Sequence, residues 1–303
     1  MSKCKGCGIT LHSENRKEPG YTPKEGSKLC ERCFKITNYN YHEKDSKNID
    51  NNILIKGINN KKCATMFLCD ILNLNSNIME IYDIIREPKV LVITKSDIIP
   101  KNIKLNKLEE NIKKVYNVDN LLFISSRSGY GKKHVLDYIE KYKKVVLAGP
   151  TSSGKSSLIN YLFDLQLTVS NHKNTTQEFI SLKIGDNEII DAPGFNEEYL
   201  LDNVKQNGFI TPKTLIIKKG YSICINNLEF YANQDMNITL FFPKSILVKT
   251  RKVKKEYENK IELSNHSDLI VNNLGFIYFK DEVCIYVNDK NYLDTRESIV
   301  GGK

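Results

Sequence analysis

Two hydrophobic periods divide the chain. Between residues 61 and 194, short apolar runs of strand length recur at Cys63–Asp70, Lys89–Asp97, Leu121–Ser126 and Val145–Gly149. Stretches of helical spacing lie between and after them: Ile78, Ile81 and Ile84; Leu105 to Val115; Tyr130 to Tyr142; Leu158, Ile159 and Leu162. This β-α-β-α alternation predicts an α/β fold, a mostly parallel sheet with helices on both faces. Ligands of such sheets sit beyond the carboxyl ends of the strands. Phe179 to Gly194 predicts a hairpin whose second strand ends at Asp191. From Thr211 the pattern shortens to Thr214–Ile217, Ser222–Ile225, Ile238–Phe242, Ser245–Val248, Asp268–Val271, Phe276–Phe279 and Val283–Val287, with Asn/Gly/Asp turns between. A separate, mostly β domain is expected there. Asp45 to Asn60 is rich in Asn, Asp and Lys and reads as a linker. The expected domains are 1–45, 46–210 and 211–303.

Composition changes this picture little. The 303 residues, 40% hydrophobic and 27% charged, suit a soluble protein of two or three domains. No apolar run approaches the roughly 20 residues that span a bilayer, and MSKCKGCG has no secretory apolar core. A cytoplasmic protein with no membrane partner is expected. Charge is more telling. The net charge is +9, and Thr211–Lys255 alone carries nine basic residues against Glu229 and Asp235. A concentrated positive stretch favours a polyanion, most commonly nucleic acid.

Cys4 and Cys7, then Cys30 and Cys33, form two C-x-x-C pairs. Two residues between thiols let both face one tetrahedral centre, so the set reads as a four-thiolate zinc knuckle. The segment is short and polar, and metal binding would supply much of its folding free energy. Cys63, Cys69, Cys224 and Cys284 read as small buried hydrophobes.

The central motif follows Val145–Ala148: Gly149, Pro150, Thr151, Ser152, Ser153, Gly154, Lys155, Ser156 and Ser157. It is G-x-x-x-x-G-K-S between a strand and a helix, the context of a phosphate loop. Backbone N–H groups and the helix dipole face an anion, Lys155 reaches the outer phosphates, and the Ser156 hydroxyl can ligate Mg²⁺. Asp191 to Gly194 is Asp-x-x-Gly at a strand end. Its carboxylate can hold the Mg²⁺ water shell, and the Gly194 N–H can meet the γ-phosphate. Thr94-Lys95-Ser96-Asp97 closes another strand. A carboxylate at Asp97 accepts from guanine N1–H and N2–H₂, with the Lys95 stem along the base. Adenine lacks that donor pair. Ser125 and Ser126 can offer a backbone N–H to guanine O6.

The order is unusual, because Thr94–Asp97 and Ser125–Ser126 precede the phosphate loop, Thr176 and Asp191–Gly194. The chain thereby resembles the circularly permuted GTPases. Cys4, Gly6, Cys7 with Cys30, Arg32, Cys33 makes it similar to the YqeH family of ribosome-assembly GTPases, and Asn272–Phe279 resembles that family's final β segment. The resemblance implies GTP and GDP as ligands, the small (30S) ribosomal subunit or its 16S rRNA as partner, and bacterial cytoplasm as compartment. It implies Lys155, Thr176 and Gly194 as catalytic residues, and Ser156, Thr176 and Asp191 around Mg²⁺. A monomer is expected.

Four positions depart from the family pattern. Thr94 replaces the Asn that ties the base loop to the phosphate loop. Ser126 replaces Ala. Ser152 stands where an Asn often helps hold K⁺, which argues against potassium stimulation. Phe195 stands where a water-orienting Gln would be, so slow intrinsic hydrolysis is expected. Two other readings compete: a nucleotide-gated RNA-binding scaffold without meaningful turnover, and an ATP-dependent small-molecule kinase, against which Lys95 and Asp97 argue.

Overall fold

The computed structural model describes residues 2, 4, 9–15, 20–24, 26–31, 34, 50–151, 153–163, 179–195, 210–272 and 274–301. Two compact units divide it. One comprises Met1–Asp70, Ile81–Lys95 and Leu122–Glu197, the other Ile71–Glu80, Ser96–Leu121 and Glu198–Lys303.

The first unit is built on a six-stranded sheet of β1 (Ala64–Asp70), β2 (Lys89–Thr94), β3 (Leu121–Phe123), β4 (Lys144–Ala148), β5 (Ile180–Ile184) and β6 (Asn187–Asp191). The spatial order is β3-β2-β1-β4-β6-β5. Neighbours β2, β1, β4 and β6 pair in parallel, so their carboxyl ends share one rim. The hairpin partner β5 runs antiparallel to β6. Every position of β1 is buried, as a strand covered on both faces requires. On one face Met66, Leu68, Val90, Val92, Val145 and Leu147 pack against two helices. These contribute Val135 and Ile139 from Lys132–Tyr142, and Leu158, Ile159 and Leu162 from Lys155–Phe163.

The supposed linker is partly a helix. Asn51–Asn59 is helical, and the Asp50 carboxylate accepts from the Asn52 N–H as its N-cap. Leu54, Ile55 and Ile58 form the buried stripe, concealed in the sequence by the surrounding Asn and Lys. The expectation for the four remaining cysteines also needs correction. Cys69 is buried, whereas Cys63, Cys224 and Cys284 are only half-buried.

The second unit contains the helix Leu105–Tyr116 and ten strands: β7 (Lys213–Ile217), β8 (Tyr221–Ile225), β9 (Leu228–Ala232), β10 (Met236–Phe241), β11 (Val248–Lys252), β12 (Asn259–Leu263), β13 (Ser267–Val271), β14 (Gly275–Phe279), β15 (Val283–Val287) and β16 (Leu293–Glu297). They form two five-stranded sheets, β16-β13-β14-β10-β7 and β11-β8-β9-β15-β12. The sheets enclose one apolar core that includes Ile223, Phe230, Ile238, Leu269, Ile277 and Ile285. The run expected at Ser245–Val248 is a turn after Pro243; the strand there starts at Val248 and extends through the basic residues to Lys252. Among the described residues no helix is long and apolar enough to cross a membrane.

Two polar networks brace this unit. In the buried one, the Arg296 Nε donates to Asp268 Oδ2 at 3.0 Å, and the same oxygen accepts the Ile299 N–H at 3.1 Å. The Arg296 Nη1 donates to the Leu74 carbonyl, which also accepts from the Tyr116 hydroxyl at 3.0 Å. In the outer one, Glu229 accepts from Arg251 Nε at 2.9 Å, from the Ser222 hydroxyl at 2.6 Å and from the Tyr257 hydroxyl at 2.6 Å.

The bonds from Arg251, joined by those from Ser222 and Tyr257, pull the Glu229 carboxyl down from 4.5 to about 2. A carboxyl depressed in the folded state stabilises fully above its unfolded value and loses that contribution as pH falls through the folded one. The second unit should therefore weaken between about pH 4.5 and pH 2. Glu229→Gln should flatten that part of the acid-unfolding curve and cost about 1–3 kcal/mol at neutral pH. Circular dichroism across an acid titration checks both.

Candidate nucleotide site

The phosphate loop begins where β4 ends. Gly149 has φ +139°, and a Cβ there would lie 2.1 Å from the Leu68 carbonyl oxygen, so only glycine fits. The loop closes into the nine-residue helix Lys155–Phe163, with the Leu158 N–H donating to Gly154 O at 2.8 Å. Lys155 is buried, and its Nζ donates to the carbonyls of Gly149 at 2.8 Å and Pro150 at 2.9 Å. The ammonium is held within the loop's own curve. Ser156 and Ser157 stand half-buried on the first turn, where helical N–H groups lack intrahelical partners. Ser152 lies outside the described residues.

Asp191 follows directly across the sheet. It is the last residue of β6, opposite Leu147 of β4, and its side chain is buried. The next residues lace the two loops together. The Ala192 N–H donates to Leu147 O at 3.0 Å, the Phe195 N–H to Gly149 O at 3.2 Å, and the Thr151 N–H to Phe195 O at 3.1 Å. Gly194 passes so close that a Cβ would stand 2.6 Å from Thr151 Oγ1. Phe195 is fully buried, its ring 5.9 Å from that of Phe67. Thr176 lies outside the described residues.

The Thr94 hydroxyl donates to the Ser153 carbonyl at 2.7 Å. Threonine therefore does span from the end of β2 to the phosphate loop. Lys95 takes a left-handed backbone at φ +57° and pairs its ammonium with the buried Asp70 carboxylate. Asp70 ends β1 opposite Thr94. Sequence reasoning missed it, although an acid closing an otherwise apolar strand is a signal. Asp97 sits two residues beyond Lys95, half-buried in the short turn Ser96–Ile98. Ser125 is engaged locally. Its N–H donates to Tyr130 O at 3.1 Å, and its hydroxyl accepts from the Arg127 and Ser128 N–H groups at 3.2 and 3.0 Å.

At the N-terminus, Cys4 and Cys30 are buried together, and the Cys30 N–H donates to Cys4 Sγ at 3.1 Å. Cys7 and Cys33 lie outside the described residues. Among the described residues no three metal-ligating side chains cluster.

Residues 34–200 match the family described as RsgA GTPase, and residues 144–272 match that described as 50S ribosome-binding GTPase. The uncharacterized protein YqeH of Bacillus subtilis is 29% identical over 238 residues, covering 71% of this chain and 63% of that one. The small ribosomal subunit biogenesis GTPase RsgA of Prochlorococcus marinus is 27% identical, covering 41% and 42%. This chain thus spans less than two thirds of the length of these relatives. The crystal structure of YjeQ from Thermotoga maritima aligns with a TM-score of 0.34 at 21% identity, over 44% of this chain and 48% of that one. With more than half of its residues inside the first of these matches, the chain belongs to the RsgA GTPase family.

Proposed function

We propose that this protein binds GTP, hydrolyses it slowly, and uses the nucleotide state to control its binding to rRNA during assembly of the small ribosomal subunit in a bacterial cytoplasm. The observation that carries the reading is the lacing of three loops at the carboxyl ends of the parallel strands β2, β4 and β6. The phosphate loop exchanges backbone bonds with the Asp191–Phe195 segment and accepts the Thr94 hydroxyl bond. The sheet order β3-β2-β1-β4-β6-β5 supports a circularly permuted GTPase, with the base-reading strand earlier in the chain than the phosphate strand. The RsgA match and the concentrated charge of Thr211–Lys255 support the ribosomal partner.

An arriving triphosphate would take the Lys155 ammonium away from the Gly149 and Pro150 carbonyls, since a phosphate oxygen is the stronger acceptor. N–H groups of the loop and of the first helical turn would take the inner phosphates. The Ser156 hydroxyl and the Asp191 carboxylate are hard oxygen donors and fit Mg²⁺, with Thr176 as the third residue. Mg²⁺, when bound, neutralises charge on the phosphate oxygens. Lys95 flanks the base, Asp97 accepts its N1–H and N2–H₂, and the Ser126 N–H meets O6, the Ser125 N–H being already committed. Buried Cys4 and Cys30, with an N–H directed at sulfur, fit half of a four-thiolate zinc site completed by Cys7 and Cys33.

Thr94→Val should weaken GDP binding about five- to tenfold, because the Ser153 carbonyl loses its donor. Thr94→Asn should restore it. Titration with a fluorescent guanine nucleotide checks both.

Phe195 favours a second reading, a nucleotide-gated RNA-binding scaffold with negligible turnover. Its ring is a core anchor and cannot orient water. Single-turnover hydrolysis, with and without small subunits, separates the two. Acceleration by subunits supports the switch, and no hydrolysis in either condition leaves the scaffold. Displacement of labelled GTP by equimolar ATP would sink both in favour of a kinase.

A further inference from the structure

We propose that the β sandwich positions the turn bearing Asp97, making Ile299 and Asn111 positioning residues for recognition of the base. The inference rests on the guanine reading above. Ser96–Leu121 belongs to the same compact unit as the sandwich. The carbonyl of Ile98, the residue after Asp97, accepts the Ile210 N–H at 3.2 Å, and Ile210 bridges to Pro243 just past β10. Ile99, Pro100 and Ile103 meet Phe241, Phe276 and Ile299 around one small apolar hollow. Ile299 is fully buried.

Its backbone is fixed from both sides. The Ile299 N–H donates to the Asp268 carboxylate at 3.1 Å, and its carbonyl accepts from Asn111 Nδ2 at 2.9 Å. Asn111 lies on the helix that follows the turn. Phe276 lies under the Arg296 guanidinium at 4.8 Å and stacks on Phe241 at 4.8 Å. The turn thus rests on the sandwich through a backbone bond, an apolar contact and a helix tie. A carboxylate that must accept two donors at once needs its backbone held this firmly.

The ratio of GDP to inosine diphosphate affinity reads that grip directly, because inosine lacks only the 2-amino group. Ile299→Ala in the full chain should lower this ratio about fivefold by loosening the turn. Asn111→Ala, which leaves the core intact, should lower it by less. Added to Asp97→Asn, either change should have no further effect on the ratio, as expected for residues acting through one carboxylate. An unchanged ratio in both single variants, or GDP and inosine diphosphate affinities falling together, overturns the inference. If Asp97→Asn alone leaves the ratio intact, the guanine reading fails instead.

Discussion

Asp97→Asn should weaken GTP binding about 100-fold and turn the preference toward xanthosine triphosphate. In the proposed guanine reading, the carboxylate accepts from both N1–H and N2–H₂ of the base. An amide keeps one acceptor and presents a donor to the guanine 2-amino group, leaving two donors face to face. Unpaired polar groups in a dry site cost about 1–3 kcal/mol each. Xanthine carries a carbonyl at position 2 and takes the amide donor. Competition of both triphosphates against labelled GDP measures the switch, and retained GTP preference would remove Asp97 from the site. The phosphate loop is untouched by this change, so xanthosine triphosphate binding shows that the variant is folded.

Arg296→Leu should cost the second unit about 3–5 kcal/mol, because it strands the Asp268 carboxylate in the core. The guanidinium and its partner are 3% and 0% exposed. Burial pushes the Asp268 carboxyl up, against the pull of Arg296. The Leu74 carbonyl would also lose its charged donor. A fall in melting temperature of roughly 10 °C or more is expected. Removing both charges with Asp268→Leu in the same chain should recover most of the loss, since a buried pair often contributes little beyond an apolar pair of similar size. Equal melting temperatures for the single variant and the wild type would show that the pair is not buried as described.

What the sequence disclosed depended on how locally each feature is encoded. The phosphate loop, the Asp191 hairpin and the strand preceding each loop lie within about twenty residues of sequence and follow simple periods. The strands that escaped or shifted lie mostly at edges. β11, β12 and β16 each border a sheet, and their VKTRK, NKIEL and LDTRE sequences carry the charge that edge strands use against mispairing. That charge erases the alternation a reader looks for. β9 is different: its LEFYA is mostly apolar, and its signal was the two-residue Asn226–Asn227 turn, with Asn226 at φ +52°. Helix Asn51–Asn59 was hidden by composition, its three buried residues outnumbered by polar ones. Asp70 could not be assigned from spacing, because it meets Lys95 across two strands twenty-five positions apart.

The seating of Phe195 has an engineering consequence. Importing glutamine there, in the hope of quickening turnover, would remove a fully buried ring from a residue bonded to the Gly149 and Thr151 backbone and push an amide into an oily slot against Phe67. The cradle would sag before any water was aligned. Faster chemistry in this scaffold has to be sought from a group that some other molecule, or some other position, brings in from above.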